Sequence, residues 1–430
     1  MERLLHYVWE HKIFPLKELY TTDGLRVEVI DAGLHNMDAG PDFFNAKLKI
    51  NGMVWVGNVE IHSLSSTWFE HKHQIDKAYD SVVLHVVGKA DCVVKRTDGT
   101  VIPQLVLPCP EELVKHYNEL EYGVSSPRCH TLMSSLSKLT IHSWFGALLL
   151  ERMQQRTELF EQRRKRKGGN WEDCFFVTLA RNFGFGLNGD AFEQWAGRIP
   201  YRVVDKIRDD QKRVEALFIG MAGLLDRVPD IEDHYFEWMK REFAYMKHAY
   251  SLPEPVDASR WRLMRTRPGN FPHVRLAQLA AIYTHERGLF SRVLEADTLV
   301  KMRKILVGEA SEYWNDHCLF GRPSDRNVAK RVGKRAQDLI LINTVVPALY
   351  AYGLYRGDDA LCQRATDFLE QLPPEDNYVT RMWSPIAEVV ESAADSQALL
   401  QLHKNYCEQH KCLYCRFGYE FMKQKRETFG

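Results

Sequence analysis

Hydrophobic and polar positions alternate along several short segments of the first hundred residues. Apolar residues recur with a period of two in 43–50 and again in 54–61, which is the period of a half-buried β-strand. Asn51-Gly52 lies between these segments, and Asn-Gly is a strong signal for a tight β-hairpin turn. Further strands are predicted at 27–30, 81–87, 92–95 and 101–107.

Helical periodicity governs the rest of the chain. Residues 2–12 are expected to form a short helix because their apolar residues recur at helical spacing, and 71–79 is compatible with a second one. After Pro108 and Pro110 the pattern becomes helical and remains so to the C-terminus. The helices predicted in this part span 136–163, 171–183, 190–197, 208–221, 232–248, 272–283, 292–304, 329–353, 358–371 and 394–406.

The change of pattern predicts two domains, an α/β domain over 1–110 and a large all-α domain over 111–430. The chain has 430 residues, of which 45% are hydrophobic and 27% are charged, so it can bury sizeable cores. Its 57 basic residues balance 57 acidic residues. Any contact with nucleic acid must therefore come from a local basic patch, because no overall positive field exists.

Three features favour a cytoplasmic protein. The N-terminus has no long apolar segment typical of a signal peptide, and no run of about 18 apolar residues predicts a membrane span. The nine cysteines are then expected to be reduced thiols or metal ligands. Motifs for nucleotide-binding P-loops, Rossmann domains and serine hydrolases are missing from the sequence.

The main candidate chemistry comes from two carboxylates at the predicted hairpin. Asp42 follows Gly40-Pro41 directly before one strand, and Glu60 stands near the end of the next strand, two residues before His62. Carboxylates on adjacent strands can converge on a hard divalent cation such as Mg²⁺ or Mn²⁺. Strand periodicity puts Glu60 and His62 on the same face.

The predicted order of helix, three strands, helix and strand over 2–87 resembles the αβββαβ core of the PD-(D/E)xK nuclease-like superfamily. In this resemblance Asp42 and Glu60 occupy the positions of the metal-binding carboxylates, and His62 stands where Lys is usual. It implies a restriction-endonuclease-like core, with Mg²⁺ or Mn²⁺ bound by Asp42, Glu60 and the Ile61 carbonyl. The implied activity is that of a metal-dependent phosphodiesterase acting on DNA or RNA. The whole chain also resembles a bacterial family of unknown function, which implies no activity.

Several histidines close to this pair add further candidates. His71 and His73 are candidate catalytic residues beside His62, as a general acid or as ligands of a second metal, whereas His85 is expected to be a hydrogen-bonded core residue. His62 in place of Lys also supports an alternative, a catalytically degenerate nuclease fold that binds nucleic acid or protein. A third hypothesis is a metal-dependent hydrolase of another substrate class, built from the histidines.

A second candidate metal site lies near the C-terminus. Cys407, Cys412 and Cys415 have chelating spacing, and His410 would complete a structural zinc site of three cysteines and one histidine. Cys362 is an alternative fourth ligand. An iron–sulfur cluster, which some nucleases of the resembled superfamily carry, is a less favoured alternative, and buried thiols without metal are another.

Arginines in a proline-containing segment are the candidate nucleic-acid contacts. Arg265, Arg267 and Arg275 can bind phosphates, although they can equally pin a loop between helices. The basic run 163–167 is more typical of a solvated helix end. The sequence does not indicate an oligomeric state.

Overall fold

The computed structural model describes residues 1–13, 18–36, 38–124, 126–386 and 390–423. The chain divides into two compact units, Met1–Leu136 with Leu402–Gly430, and Ser137–Gln401. The first unit contains a β-sheet and the second is mainly helical, so the expected order of an α/β region before a large helical region is confirmed. The division differs from the predicted boundary at 110, because the segment after 110 and the C-terminal segment pack with the sheet-containing unit.

One mixed sheet forms the framework of the first unit. Its strands in the described residues are β1 Leu19–Tyr20, β2 Arg26–Asp31, β3 Leu34–His35, β4 Phe43–Ile50, β5 Met53–Leu64, β6 Val82–Lys89 and β7 Gln104–Val106. The strand order is β1-β2-β4-β5-β6-β7, and β3 also pairs with β4. The β5–β6 and β6–β7 pairs are parallel, whereas the other pairs are antiparallel. A parallel pair needs a crossover, and the segment between β5 and β6 supplies it.

β4 and β5 form the predicted hairpin. Its turn residues Asn51 and Gly52 have φ angles of 47° and 85°, which these two residue types tolerate best. From Ala46 to Ile50, the side chains of β4 are buried at every second position, as the alternating pattern predicts, whereas a register shift separates Ala46 from the buried Phe43. Gly57 in β5 lies so close to β6 that a Cβ there would stand 2.3 Å from Val83 Cγ1.

Three helices of the first unit are α1 Glu2–Glu10, α2 Thr67–Glu70 and α3 Glu111–Tyr122. The predicted helix over 71–79 is replaced by two 3-10 turns, His73–Ile75 and Lys77–Tyr79. Lys72 interrupts the helix with a left-handed φ of 63°, and the Asp76 side chain then accepts a hydrogen bond from the Ala78 N–H. His71 directly follows α2, and His73 begins the first of these turns.

The predicted strand over 92–95 is also absent from the described residues. Lys95 and Val101 form only an isolated bridge, and β7 is shorter than the predicted 101–107 strand. Side chains bind the carbonyls that a ladder would use. Gln104 Nε2 donates to the Cys92 carbonyl at 2.8 Å, and Trp68 Nε1 donates to the Lys95 carbonyl at 3.2 Å.

The second unit is built on helices packed around a large apolar core. Its helices are α4 Lys138–Arg166, α5 Trp171–Phe183, α6 Gly189–Arg198, α7 Tyr201–Ile207, α8 Gln211–Met221, α9 His234–Ala249, α10 Pro272–His285, α11 Leu289–Glu295, α12 Leu299–Ile305, α13 Lys334–Ile340, α14 Val346–Arg356, α15 Asp359–Gln371, α16 Tyr378–Trp383 and α17 Ala393–Leu402. A small hairpin joins β8 His317–Leu319 to β9 Arg322–Pro323. The predicted helix over 292–304 is two helices, because Thr298 caps α12 through the Lys301 N–H.

A π-helical turn, Leu341–Val345, joins α13 to α14. In the part of the chain that the structure describes, the combined helix Lys334–Arg356 is long and apolar enough to cross a membrane by length and composition. However, 72% of its most apolar window is buried inside the structure, as in a helix of a protein core.

The last helix in the described residues is α18 Arg416–Lys423, which packs against α3 in the first unit. Before it come a π-helical turn, His403–Cys407, and a 3-10 turn, Cys412–Tyr414. Gly418 allows the start of α18 to approach this second turn, because a Cβ there would lie 1.8 Å from the Cys412 carbonyl oxygen. The cysteine-containing segment is therefore part of the sheet-containing unit.

Candidate metal centre

Asp42 and Glu60 lie side by side on neighbouring strands. Asp42 immediately precedes β4, and the pairing of Phe43 with Val59 brings it beside Glu60 in β5. The Asp42 N–H donates to Glu60 Oε2 at 3.1 Å, while the Ile61 N–H donates to Asp42 Oδ2 at 2.8 Å. Two hydrogen bonds in opposite directions thus fix both carboxylates at one end of the strand pair.

Asn36 shapes the loop that presents Asp42. Its side-chain amide donates to the carbonyls of Asp38, Ala39 and Pro41 at 3.2, 3.3 and 3.0 Å. The Asn36 backbone N–H donates to the Asp42 carbonyl at 2.7 Å. A single side chain therefore satisfies carbonyls that the loop would otherwise leave without partners.

His6 on α1 completes the surroundings of Asp42, and the sequence patterns did not identify it. Its Nε2 atom lies 3.4 Å from Asp42 Oδ2. Burial alone would lower the pKa of His6, but Asp42 and the backbone of Ile61 outweigh burial, so this pKa is raised above its ordinary value. The sequence predicted the helix from its apolar face, and packing of that face on the sheet sets the direction of the His6 side chain.

The histidines form a compact cluster on the other side of Glu60. His62 Nδ1 lies 2.9 Å from His85 Nε2, and His62 Nε2 lies 3.2 Å from His71 Nδ1. The ring of His73 stacks on His62 at 5.4 Å and on Tyr79 at 3.7 Å between centroids. His62, His73 and His85 are buried, whereas His71 is exposed.

Glu60 connects the two groups of side chains. Its Oε2 atom faces the Asp42 backbone, whereas its Oε1 atom lies 3.5 Å from His62 Nε2 and 3.4 Å from His73 Nε2. One carboxylate can therefore contribute an oxygen atom to a site shared with Asp42 and another to a site shared with the imidazoles.

Burial and the neighbouring groups favour the neutral forms of Glu60, His62 and His85. Burial and the nearby Asp42 carboxylate raise the pKa of Glu60 well above its ordinary value. Burial and the neighbouring imidazoles lower the pKa of His62 to about 2, and burial lowers that of His85 to about 4. His62 is thus a neutral imidazole, which can bind a metal but cannot supply the positive charge of a lysine.

Several observations fit a divalent cation at this place. His62, His71 and His73 each offer a nitrogen, and these atoms lie within 4.8 Å of one another. The buried nitrogens His73 Nε2 and His6 Nε2 have no partner in hydrogen-bond geometry among the described residues. Both nitrogens lie 3.4 Å from a carboxylate oxygen. A cation between them would satisfy nitrogen and oxygen ligands together.

The structure also brings together the cysteines of the second candidate site. Cys407, Cys412, Cys415 and the exposed His410 line one cavity in the first unit. A fourth thiol, Cys129, lines the same cavity, and the sequence analysis missed it because it stands far from the other three along the chain. The alternative ligand Cys362 belongs to the helical unit, where its thiol donates to the Tyr350 carbonyl at 3.7 Å.

The predicted arginine contacts differ from one another. Arg265 and Arg267 are exposed on their loop. The guanidinium of Arg275 instead lies 4.4 Å from the centroid of Phe185 and donates to Gln278 Oε1 at 2.9 Å and to Asn270 Oδ1 at 2.6 Å. Arg275 therefore pins the loop, as the structural alternative predicted, while Arg265 and Arg267 remain accessible to phosphate.

Comparison with known proteins places the chain in a family without assigning a reaction. Neither the curated proteins nor the solved structures contain a match to it. A family model described as "Protein of unknown function (DUF2851)" matches residues 2–378, which include the whole sheet and all the carboxylates and histidines of the candidate metal centre. The chain therefore belongs to the DUF2851 family of proteins of unknown function.

Proposed function

We propose that the first unit is a divalent-metal-dependent phosphodiesterase with a restriction-endonuclease-like core, acting on nucleic acid. The main support is the position of Asp42 and Glu60 on adjacent strands, where hydrogen bonds from the backbone hold both carboxylates side by side. The order of the elements supports the same proposal: α1 precedes the antiparallel strands β2, β4 and β5, and a short helical crossover leads to the parallel strand β6. A cytoplasmic location would suit both such a substrate and reduced thiols.

Asp42, Glu60 and the Ile61 carbonyl are the proposed ligands of Mg²⁺ or Mn²⁺. When bound there, the cation would activate a water molecule and offset charge on the phosphoryl oxygens. The bond from the Ile61 N–H keeps Asp42 oriented, and the Asp42 N–H does the same for Glu60. Preorganised carboxylates of this kind need little rearrangement when substrate arrives.

The histidines have a different role from the lysine of the resembled superfamily. His62 is buried and neutral, so we assign it to binding a metal together with His73 and Glu60 Oε1. His71 is exposed beside His62, which suits exchange of a proton with water or with the leaving oxygen of the substrate. In hydrolysis the phosphorus–oxygen bond to the leaving group breaks, and that oxygen takes up a proton.

A degenerate fold that only binds nucleic acid or protein is the second candidate. The neutral, buried state of His62 favours it, because the charge normally supplied by lysine is lacking at that position. It predicts binding that weakens with salt, without turnover, and it places the contact at exposed bases such as Arg265 and Arg267.

The two candidates are distinguished by incubating the full chain with labelled single- and double-stranded DNA and RNA. Each substrate is tested with Mg²⁺, with Mn²⁺, with Zn²⁺ and with EDTA. Cutting that requires a divalent cation supports the phosphodiesterase and identifies its substrate. Salt-sensitive binding with no cutting under any of these conditions contradicts it and favours the binding module.

A further inference from the structure

Four cysteines from two distant parts of the chain surround one cavity in the first unit. Cys129 comes from the segment after α3, whereas Cys407, Cys412 and Cys415 come from the C-terminal segment. The cavity has a volume of about 370 Å³. Cys129 and Cys415 are buried, and Cys407 and Cys412 are partly buried.

Arg128 supplies positive charge beside these thiols. Its Nη1 atom donates to the carbonyls of Leu120 and Glu121 at 2.7 and 2.8 Å, which anchors the guanidinium at the end of α3. Arg128 lines the same cavity and is hydrogen-bonded to the Cys412 thiol. A fixed cation next to thiolates is expected where a negatively charged metal–thiolate centre is buried.

All four thiols line the same cavity. Bringing four thiols together without a metal is unfavourable once they ionise, because each thiolate repels the others. Metal ligation removes this penalty by binding the thiolates directly.

The spacing of the sulfurs argues against a single zinc ion. Zinc binds sulfur at about 2.3 Å, so sulfurs on one zinc ion lie no more than about 4.6 Å apart. Among the described residues, three or more ligand atoms come within 4.8 Å of one another at His62, His71 and His73. The cysteine sulfurs in the described part of the chain do not form such a group. Thiolates bound to separate iron atoms of a cluster can stand farther apart around a larger volume.

We propose that Cys129, Cys407, Cys412 and Cys415 bind an iron–sulfur cluster in this cavity, with His410 outside the ligand set. Each thiol loses its proton and binds iron through sulfur. The cluster joins the segment after α3 to the C-terminal segment. This inference does not depend on the proposed phosphodiesterase, because its test measures metal content and absorption rather than cleavage.

The test uses the full chain purified without oxygen and reconstituted with ferric iron and sulfide, with dithiothreitol as the reductant that supplies the electrons for cluster assembly. We expect iron and acid-labile sulfide in about equal amounts, with a visible charge-transfer absorption that is bleached by dithionite. Cys129→Ser and Cys412→Ser should each lose most of this absorption. Cys109→Ser is the control, since burial alone raises the pKa of Cys109 to about 11 and no neighbouring thiol contributes.

Three results would overturn the proposal. They are wild-type protein that binds stoichiometric zinc in place of iron, wild-type protein that binds no metal after reconstitution, and Cys129→Ser that retains the iron content of the wild type. His410→Ala should keep the full absorption, and its loss would instead place His410 in the ligand set. Because the wild-type spectrum alone decides between iron and zinc, poor folding of a cysteine variant does not remove the test.

Discussion

The carboxylates of Asp42 and Glu60 each accept a hydrogen bond from the backbone beside the other residue. The Asp42 N–H donates to Glu60 Oε2 at 3.1 Å, and the Ile61 N–H donates to Asp42 Oδ2 at 2.8 Å. Neither carboxylate can move far without breaking one of these bonds. The arrangement resembles a preorganised cation site more than a pair of solvated surface acids, since Glu60 is only 4% exposed.

His85 is predicted to affect metal binding at the candidate metal centre through His62. A metal-bound imidazole usually donates its other N–H to a neighbouring group, and His62 Nδ1 lies 2.9 Å from His85 Nε2. We expect His85→Ala to weaken Mn²⁺ or Zn²⁺ binding by about 10- to 100-fold, measured by calorimetry. His11→Ala is the control from the same unit, and an equal loss in both variants would show a general effect on folding.

Arg265 and Arg267 are predicted to contact phosphate. Replacing both by alanine should make the slope of log affinity against log salt less negative by about 1.8 for duplex DNA, because each phosphate contact contributes about 0.9. Fluorescence anisotropy at several salt concentrations measures this slope. Arg275→Ala should leave the slope unchanged and lower the melting temperature, because its guanidinium is bonded to Gln278 and Asn270. An unchanged slope in the double variant removes both arginines from the interface.

Glu215 is predicted to stabilise the helical unit. Its carboxylate accepts hydrogen bonds from the Ser311 N–H at 2.9 Å, the Trp314 indole at 2.9 Å and the Tyr235 hydroxyl at 2.9 Å. Glu215→Ala leaves these buried donors without an acceptor and should lower the free energy of unfolding by about 3–5 kcal/mol. Urea unfolding measures the loss. The exposed Glu370→Ala is the matched control and should change stability by less than about 0.5 kcal/mol.

His273 is predicted to make the helical unit less stable in acid. Burial lowers its pKa in the folded state to about 4, while the unfolded value is about 6.5. Its contribution is therefore fully present above pH 6.5 and is lost as pH falls toward 4, because only the unfolded chain readily takes up the proton.

The variant His273→Leu isolates this effect. Between pH 7 and pH 4.5 the wild type should lose about 2–3 kcal/mol more unfolding free energy than the variant. Tryptophan fluorescence can follow unfolding, since Trp314 lies near His273. Identical pH dependence in the two proteins would mean that His273 ionises freely in the folded state.

Much of the fold could be predicted because the signals are local. The alternating segments that became β4 and β5, and the Asn51-Gly52 turn between them, depend on neighbours in the chain. The predicted helix over 71–79 was wrong because Lys72 adopts a left-handed conformation, which helical periodicity does not reveal. The strand predicted over 92–95 failed because the side chains of Gln104 and Trp68 bind its carbonyls.

The candidate sites were predictable where their residues lie close together along the chain. Asp42 and Glu60 are linked by strand pairing, so their approach follows from the local pattern. His6 and Cys129 reach their sites through the packing of helices and of the C-terminal segment, which involves contacts between distant positions. One sequence carries no spacing signal for such contacts.

The most direct test of the proposed phosphodiesterase compares cleavage by the wild type, Asp42→Asn and Glu60→Gln at saturating Mg²⁺ or Mn²⁺. Glu28→Gln is the control, because Glu28 is an exposed carboxylate of the same sheet that lies 3.9 Å from Lys49. With circular dichroism confirming that each variant is folded, we predict at least about a hundredfold loss of cleavage in the two site variants and none in the control. Metal-dependent cleavage at the wild-type rate by Asp42→Asn and Glu60→Gln would contradict the proposed function.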